Sequence, residues 1–181
     1  YFIMKIENIQ CEFFINSIAD YLKHKSVLLD LISKTPSEQY EEISNTDWTI
    51  SKDQKREYLD YFYKNILPTP YNKIMNYLHS NKYRLYNGWF QQYEKEDTHC
   101  WHVHDGANYT NVYFIELPDS EFKTQLYDST NNKILDLDIK EGDLLTFPAS
   151  VLHRSKPNFG GRKTVISFNS DFIFDGKLKF E

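Results

Sequence analysis

Near Lys82 the spacing of apolar residues changes from a helical period to an alternating one, and this change constrains the fold more than any other feature of the chain. Ahead of it, "CEFFINSIADYLKHKSVLLDLISKTP" sets Phe14, Ile15, Ile18, Tyr21 and Leu22 at helix-like separations until Pro36 interrupts them, which predicts a first helix. "SKDQKREYLDYFYKNILPTP" predicts a second: the Ser51 to Gln54 spacing suits a capping box, Tyr58, Leu59, Phe62 and Ile66 recur on one broad face, and Pro68 ends the run. "YNKIMNYLHS" continues the helical packing. Beyond Lys82, "YRLYNGWFQQYEK", "TNVYFIEL", "EFKTQLYD", "KILDLDI", "DLLTFPA" and "KTVISFNSDF" read as strands separated by turn-rich spacers such as "KEGD" and "PNFGG". Too few helices lie between them for a parallel sheet with crossovers. The expected fold is therefore mainly β, a double-sheet jelly roll with N-terminal helices against an outer sheet face. The chain reads as one domain over residues 1–181, with helical support at about 8–80 and the jelly-roll core at about 82–175.

Composition narrows the remaining classes. Fourteen Tyr and thirteen Phe within a 40% hydrophobic chain supply a sizeable core without cross-links. Cys11 and Cys100 make no disulfide framework, each reads as a small buried hydrophobe, and no signal-peptide pattern is present, so a reducing, cytoplasmic location is expected. No run of eighteen apolar residues offers a membrane span. A net charge of -5 with no block of Lys and Arg speaks against an extended nucleic-acid surface.

Three of the six histidines, His99, His102 and His104, fall within six positions, and His153 follows in "FPASVLHRSKPN". Clustered imidazoles repel one another when charged, so the cluster needs a reason. On a strand His102 and His104 share a face with Cα atoms roughly 6.6 Å apart, a workable separation for two rings that each approach one ion to about 2 Å. His153 becomes a third ligand if a later strand carries it across the barrel. Imidazoles suit Zn, Fe, Ni or Cu, and the common non-haem iron arrangement is two His with one carboxylate. Here the partner at i+2 is His104; Asp105, next to it, reaches the metal only if the strand ends or bulges there. His99 has the opposite parity and reads as an outer contact or an ordinary surface residue, while His24 and His79 fall in helical segments and read as structural.

After His153, Gly160 and Gly161 form a turn from which a strand begins with Arg162 and Lys163. One of these two points into the barrel, where a cation needs an anion to offset its desolvation. A keto-dicarboxylate meets both demands, chelating the metal at one end and pairing with the base at the other. Two registers are open: Arg162 with Thr164 as its hydroxyl partner, or Lys163 on a face with Val165, Ser167 and Asn169. On neighbouring strands Gln91 and Tyr93 share a face with Trp89, and Tyr113 shares one with Asn111 and Ile115; Gln91, Tyr93, Tyr113 and Asn169 are candidates for contact with the cofactor. No nucleophile elbow and no phosphate-cradling loop point to hydrolase chemistry.

His102, His104, "EGDLLTFPASVLHRSKPN" and the closing "RKTVISFN" resemble the iron(II)- and 2-oxoglutarate-dependent oxygenase superfamily, and within it a small family common in bacteriophages and marine bacteria. The resemblance runs from about Trp89 to Phe172. It implies a double-stranded β-helix of cupin-like form, Fe(II) and 2-oxoglutarate as cofactors, His102 and His153 as ligands, and O2 as co-substrate. Residue 104 stands where most members have Asp or Glu. The implied activity is hydroxylation of an unidentified substrate, with a protein side chain preferred, and release of succinate and CO2. A three-His dioxygenase or isomerase without 2-oxoglutarate, and a silent binding barrel, are the alternatives.

Overall fold

The computed structural model describes residues 11–51 and 53–174. Its strands are β1 (Phe14–Ser17), β2 (Glu38–Tyr40), β3 (Ser44–Thr46), β4 (Lys82–Tyr93), β5 (His99–His102), β6 (Tyr109–Glu116), β7 (Thr124–Asp128), β8 (Lys133–Ile134), β9 (Asp143–Pro148), β10 (His153–Ser155) and β11 (Lys163–Ile173). Three helices are interspersed, α1 (Tyr21–Ser33), α2 (Glu57–Asn65) and α3 (Pro68–Leu78). One sheet has seven strands in the order β1-β9-β6-β11-β4-β3-β2, and the other has four in the order β5-β10-β7-β8. Every pairing is antiparallel. This is the expected double-stranded β-helix, with the helices on the outer face of the larger sheet.

Alternation along the central strands divides the apolar residues between two cores. Phe90, Tyr113, Ile115, Ile166, Phe168 and Phe172 turn outward to meet Leu28, Tyr58, Phe62 and Tyr71 of the helices. Tyr93, Val112, Phe114, Leu145, Phe147 and Val165 turn inward and pack with Leu126, Leu137 and Ile139 between the sheets. The inward ends of β4, β6 and β11 therefore form one wall of the barrel, and β5, β10 and β7 form the facing wall.

Several expectations are corrected. Phe14 to Ser17 form a strand, because their backbone pairs with β9 from Phe14↔Thr146 to Ser17↔Asp143. Phe14 and Ile15 consequently pack against different cores. The helix begins only after Asp20 turns into the left-handed region at φ 56°. The second helix starts at Glu57 rather than Ser51, whose hydroxyl instead accepts from Asp53 N in a local turn (3.3 Å). Pro68 opens α3, where its missing N–H costs nothing. The supporting region also holds the β2–β3 hairpin, which carries no strong alternation. "KILDLDI" keeps only Lys133–Ile134 as strand, although Leu137 and Ile139 remain buried. Cys11 and Cys100 are exposed, not buried. Among the described residues no helix is long and apolar enough to cross a membrane.

Candidate metal centre

His102 ends β5 and His153 begins β10, and the two residues are directly paired across the ladder. His104 lies two residues past the end of β5, where its backbone N donates to Ala149 O (2.9 Å) and holds it beside the same opening. The ring centroids are separated by 4.1 Å for His102–His153, 5.2 Å for His102–His104 and 5.1 Å for His104–His153. One ligand atom from each ring lies within 4.8 Å of the others, a grouping that can hold a metal ion.

The outer contacts decide which nitrogen is available. His102 Nδ1 meets Cys100 O (2.7 Å), His153 Nδ1 meets Val151 O (2.9 Å) and His104 Nδ1 meets Asn169 Oδ1 (2.9 Å). All three partners are oxygens that only accept, so a neutral ring keeps its proton on Nδ1 and its lone pair on Nε2. Burial lowers the pKa of His102 and His104. For His153, burial and then the neighbouring His102 push it down to about 3. The three rings are thus neutral donors at pH 7. Asn169 Oδ1 also accepts from Thr110 Oγ1 (3.0 Å), which fixes the amide that orients His104.

His99 joins the cluster against its expected parity. β5 and β10 pair His153 with His102 but Ser155 with His99, so β5 carries one extra residue in a bulge. The bulge brings the His99 ring parallel to His102 at 3.8 Å. Burial, followed by repulsion from His102, pushes His99 down to about 4. A bulge has no signature in the sequence here.

Further along the same cavity stands Lys163, 1% exposed. Its Nζ donates to Phe122 O (3.0 Å) and to Ser155 Oγ, and lies 4.0 Å from the centroid of the Tyr93 ring. No carboxylate pairs with it among the described residues, and burial pushes the amine down to about 7. Gln91, Tyr93, Thr124, Ser155 and Ser167 line the space between Lys163 and the histidines. Gln91 accepts from Ser167 Oγ (3.3 Å).

Three candidates lie elsewhere. Arg162 forms a two-pronged ion pair with Glu116 on the outside (2.9 and 3.1 Å), and Thr164 donates to the same carboxylate. Tyr113 faces the helices, its ring 5.1 Å from Phe62. All three have the parity that points away from the barrel. Thr124 and Ser155 line the cavity without having been expected there, and Trp89, on the face it shares with Gln91 and Tyr93, lies nearly parallel to His104 at 5.9 Å. Asp105 is exposed and stays outside the group of three ligand atoms.

No protein-family model matches the chain, and no curated protein matches its sequence. Solved structures do match in fold. The viral collagen prolyl hydroxylase vCPH of Paramecium bursaria Chlorella virus-1, in complex with 2OG, aligns over 87% of this chain and 94% of its own at 14% identity and a TM-score of 0.58. A prolyl-4-hydroxylase of Pseudomonas putida aligns over 87% and 91% at 12% identity and 0.60. HygX of Streptomyces hygroscopicus, with nickel, 2-oxoglutarate and hygromycin B bound, aligns over 88% and 82% at 10% identity and 0.64. The shared property is the fold.

Proposed function

We propose that the protein is a non-haem Fe(II)- and 2-oxoglutarate-dependent dioxygenase that hydroxylates its substrate. The observation that carries this reading is one cavity holding three convergent neutral imidazoles and, further in, a buried cation with no anionic partner among the described residues. A lone buried ammonium is costly, and a dicarboxylate that also chelates a metal would offset that cost. His102, His104 and His153 would hold the ion through Nε2, and Lys163 would receive the distal carboxylate with help from Ser155 and Tyr93. When bound, Fe(II) and 2-oxoglutarate supply O2 reduction coupled to decarboxylation of the keto acid to succinate and CO2, with insertion of the other oxygen atom into a substrate C–H bond.

The chain's own part is positional. Cys100 O, Val151 O and Asn169 Oδ1 keep the three rings oriented, and substitution of such outer contacts typically costs 10- to 100-fold in metal affinity. Val112 and Val165 line the cavity with apolar surface that limits water. A protein side chain is the preferred acceptor, since vCPH and the Pseudomonas enzyme are prolyl hydroxylases. The narrower kinship with phage and marine-bacterial proteins rests on the sequence motifs alone.

His104 in place of a carboxylate favours a second reading, a three-His metal enzyme that does not use 2-oxoglutarate. Lys163 argues against it, because its buried amine would then lack an anion. Anaerobic addition of Fe(II) and 2-oxoglutarate separates the two: the first reading expects a weak visible charge-transfer band that is lost in His153→Ala, and the second expects metal binding without the band.

A further inference from the structure

The inner cavity opens outward through a second one that shares Trp89, Gln91, His99, His102 and His104 with it. The walls of this mouth combine aromatic and apolar side chains with polar ones such as Asn87, Gln91 and Asn169. Trp48, Tyr40 and Val103 stand at its margin, with Trp48 48% exposed and packed edge-on against Trp89 at 4.5 Å. A half-exposed tryptophan on a floppy loop would mean little, but this one is held. Asp47, fully buried beside it, accepts from Phe90 N (3.0 Å), Arg56 Nε (2.6 Å) and Tyr58 OH (2.7 Å). Trp48 N donates to Thr46 Oγ1 (3.1 Å), which in turn donates to Phe90 O (2.6 Å). The ring is presented to the opening on fixed backbone, as a recognition surface requires.

Among the residues that line the mouth itself, the charge is acidic. Asp105 is the charged residue in its lining other than histidine, and Glu41 and Glu42 line the groove that continues from it along β5. Neither lining contains Lys or Arg. Elsewhere Lys25, Lys34, Arg56, Lys123, Lys156 and Arg162 are matched to carboxylates, whereas among the described residues Glu41, Glu42 and Asp105 form no ion pair. Arg154, which lines the inner cavity, is stacked over Trp101 of the groove at 4.6 Å and donates to Gln125 Oε1 (2.8 Å). Glu41 also occupies a left-handed turn position at φ 49°, where Gly or Asn would sit with less strain.

We propose that the substrate of this site presents a protonated amine or guanidinium to the mouth, with the cation between the Trp48 and Tyr40 rings and the carboxylates of Glu41, Glu42 and Asp105. Rings and carboxylates attract an organic cation through different physics, the ring quadrupole and the ionic charge; Trp48, Tyr40 and Asp105 line the mouth, and Glu41 and Glu42 line the groove that shares Ile43, His99 and His102 with it. A phosphorylated or otherwise anionic substrate is repelled by the same carboxylates. The assignment of the mouth as a substrate entrance rests on the proposed catalytic role of the histidines; the cation preference can be measured without it.

The test uses metal-free protein and tryptophan fluorescence at low ionic strength. The probes are spermidine, end-blocked Gly-Ser-Gly-Lys-Gly-Ser-Gly, and the same peptide with Glu for Lys. The cationic probes are expected to bind saturably and the Glu peptide at least about tenfold more weakly. Glu41→Gln with Glu42→Gln should weaken the cationic probes about tenfold, an effect that salt erases, while Asp30→Asn with Asp60→Asn on the helices changes nothing. Trp48→Ala should remove the fluorescence response, with calorimetry still reading the weakened binding. Tighter binding of the lysine peptide assigns the cation to a polypeptide side chain, and tighter binding of spermidine assigns it to a free amine. Equal binding of the Lys and Glu peptides, no binding of either cationic probe, or equal effects of the two double substitutions would overturn the proposal. Because no metal is added, failure here leaves the charge-transfer experiment untouched, and the converse also holds.

Discussion

Replacing Lys163 with Met gives the sharpest prediction, because it should raise stability and weaken cofactor binding together. Lys163 is 1% exposed, and burial lowers its amine from 10.5 to about 7. Between those values the unfolded chain holds a proton that the folded protein does not, so wild-type stability rises with pH across that window and levels off below it. At 1.36 kcal/mol for each unit, the folded state at pH 7 bears a penalty of about 4 kcal/mol from this group. Met removes the penalty but leaves Phe122 O and Ser155 Oγ without their donor, a loss of about 1–3 kcal/mol. Lys163→Met should therefore be about 2 kcal/mol more stable than wild type at pH 7, with the advantage gone or reversed near pH 10. Affinity for 2-oxoglutarate should fall at least about 30-fold, the consequence of removing one partner of a buried charge pair worth about 2 kcal/mol or more. Urea unfolding from pH 6 to 10 reads the first effect, and calorimetry with Ni(II) and 2-oxoglutarate reads the second. A variant that is less stable at pH 7 with the wild-type pH slope, or that binds the keto acid unchanged, would refute the reasoning.

Other substitutions probe the frame around the site. Asn169→Leu should keep the folded circular dichroism spectrum while weakening Ni(II) affinity 10- to 100-fold in calorimetry, since His104 loses its orienting acceptor. Asp47→Ala should cost about 3–5 kcal/mol in chemical denaturation, because it strands the half-buried Arg56 guanidinium and orphans Phe90 N. Gly142→Ala should destabilise by more than about 1 kcal/mol in the same assay, as φ is +83° and the added Cβ would lie 2.4 Å from Tyr21 Cγ.

The jelly roll was legible because β4, β6, β9 and β11 are long, buried and alternating, so their sequence period reports directly on which face each residue takes. Parity alone left two registers open for the inward cation, and the folded strand places the one containing Lys163, Val165, Ser167 and Asn169 toward the cavity. Parity failed where the backbone departs from a regular strand. His99 sits on an extra residue in β5, and nothing in "THCWHVH" encodes that bulge. Phe14 to Ser17 misled for another reason: apolar residues at 14, 15 and 18 satisfy a helical template, yet pairing with the edge of β9 decided their conformation. Tyr113 was placed on the wrong wall because either face of β6 is buried, one by helices and the other by the opposite sheet. Of the contacts that orient the rings, Asn169 Oδ1 depends on tertiary geometry, whereas Cys100 O and Val151 O lie two residues ahead of their histidines and depend on side-chain rotamers that spacing does not report.

The central claim is that three histidines and Lys163 bind one metal and one keto-dicarboxylate as a unit. Calorimetric titration of 2-oxoglutarate into the protein, with one equivalent of Ni(II) and again in EDTA, tests it most directly. A single site is predicted that needs the metal and disappears in His153→Ala. Binding of equal strength with and without Ni(II), or undiminished in His153→Ala, would contradict it.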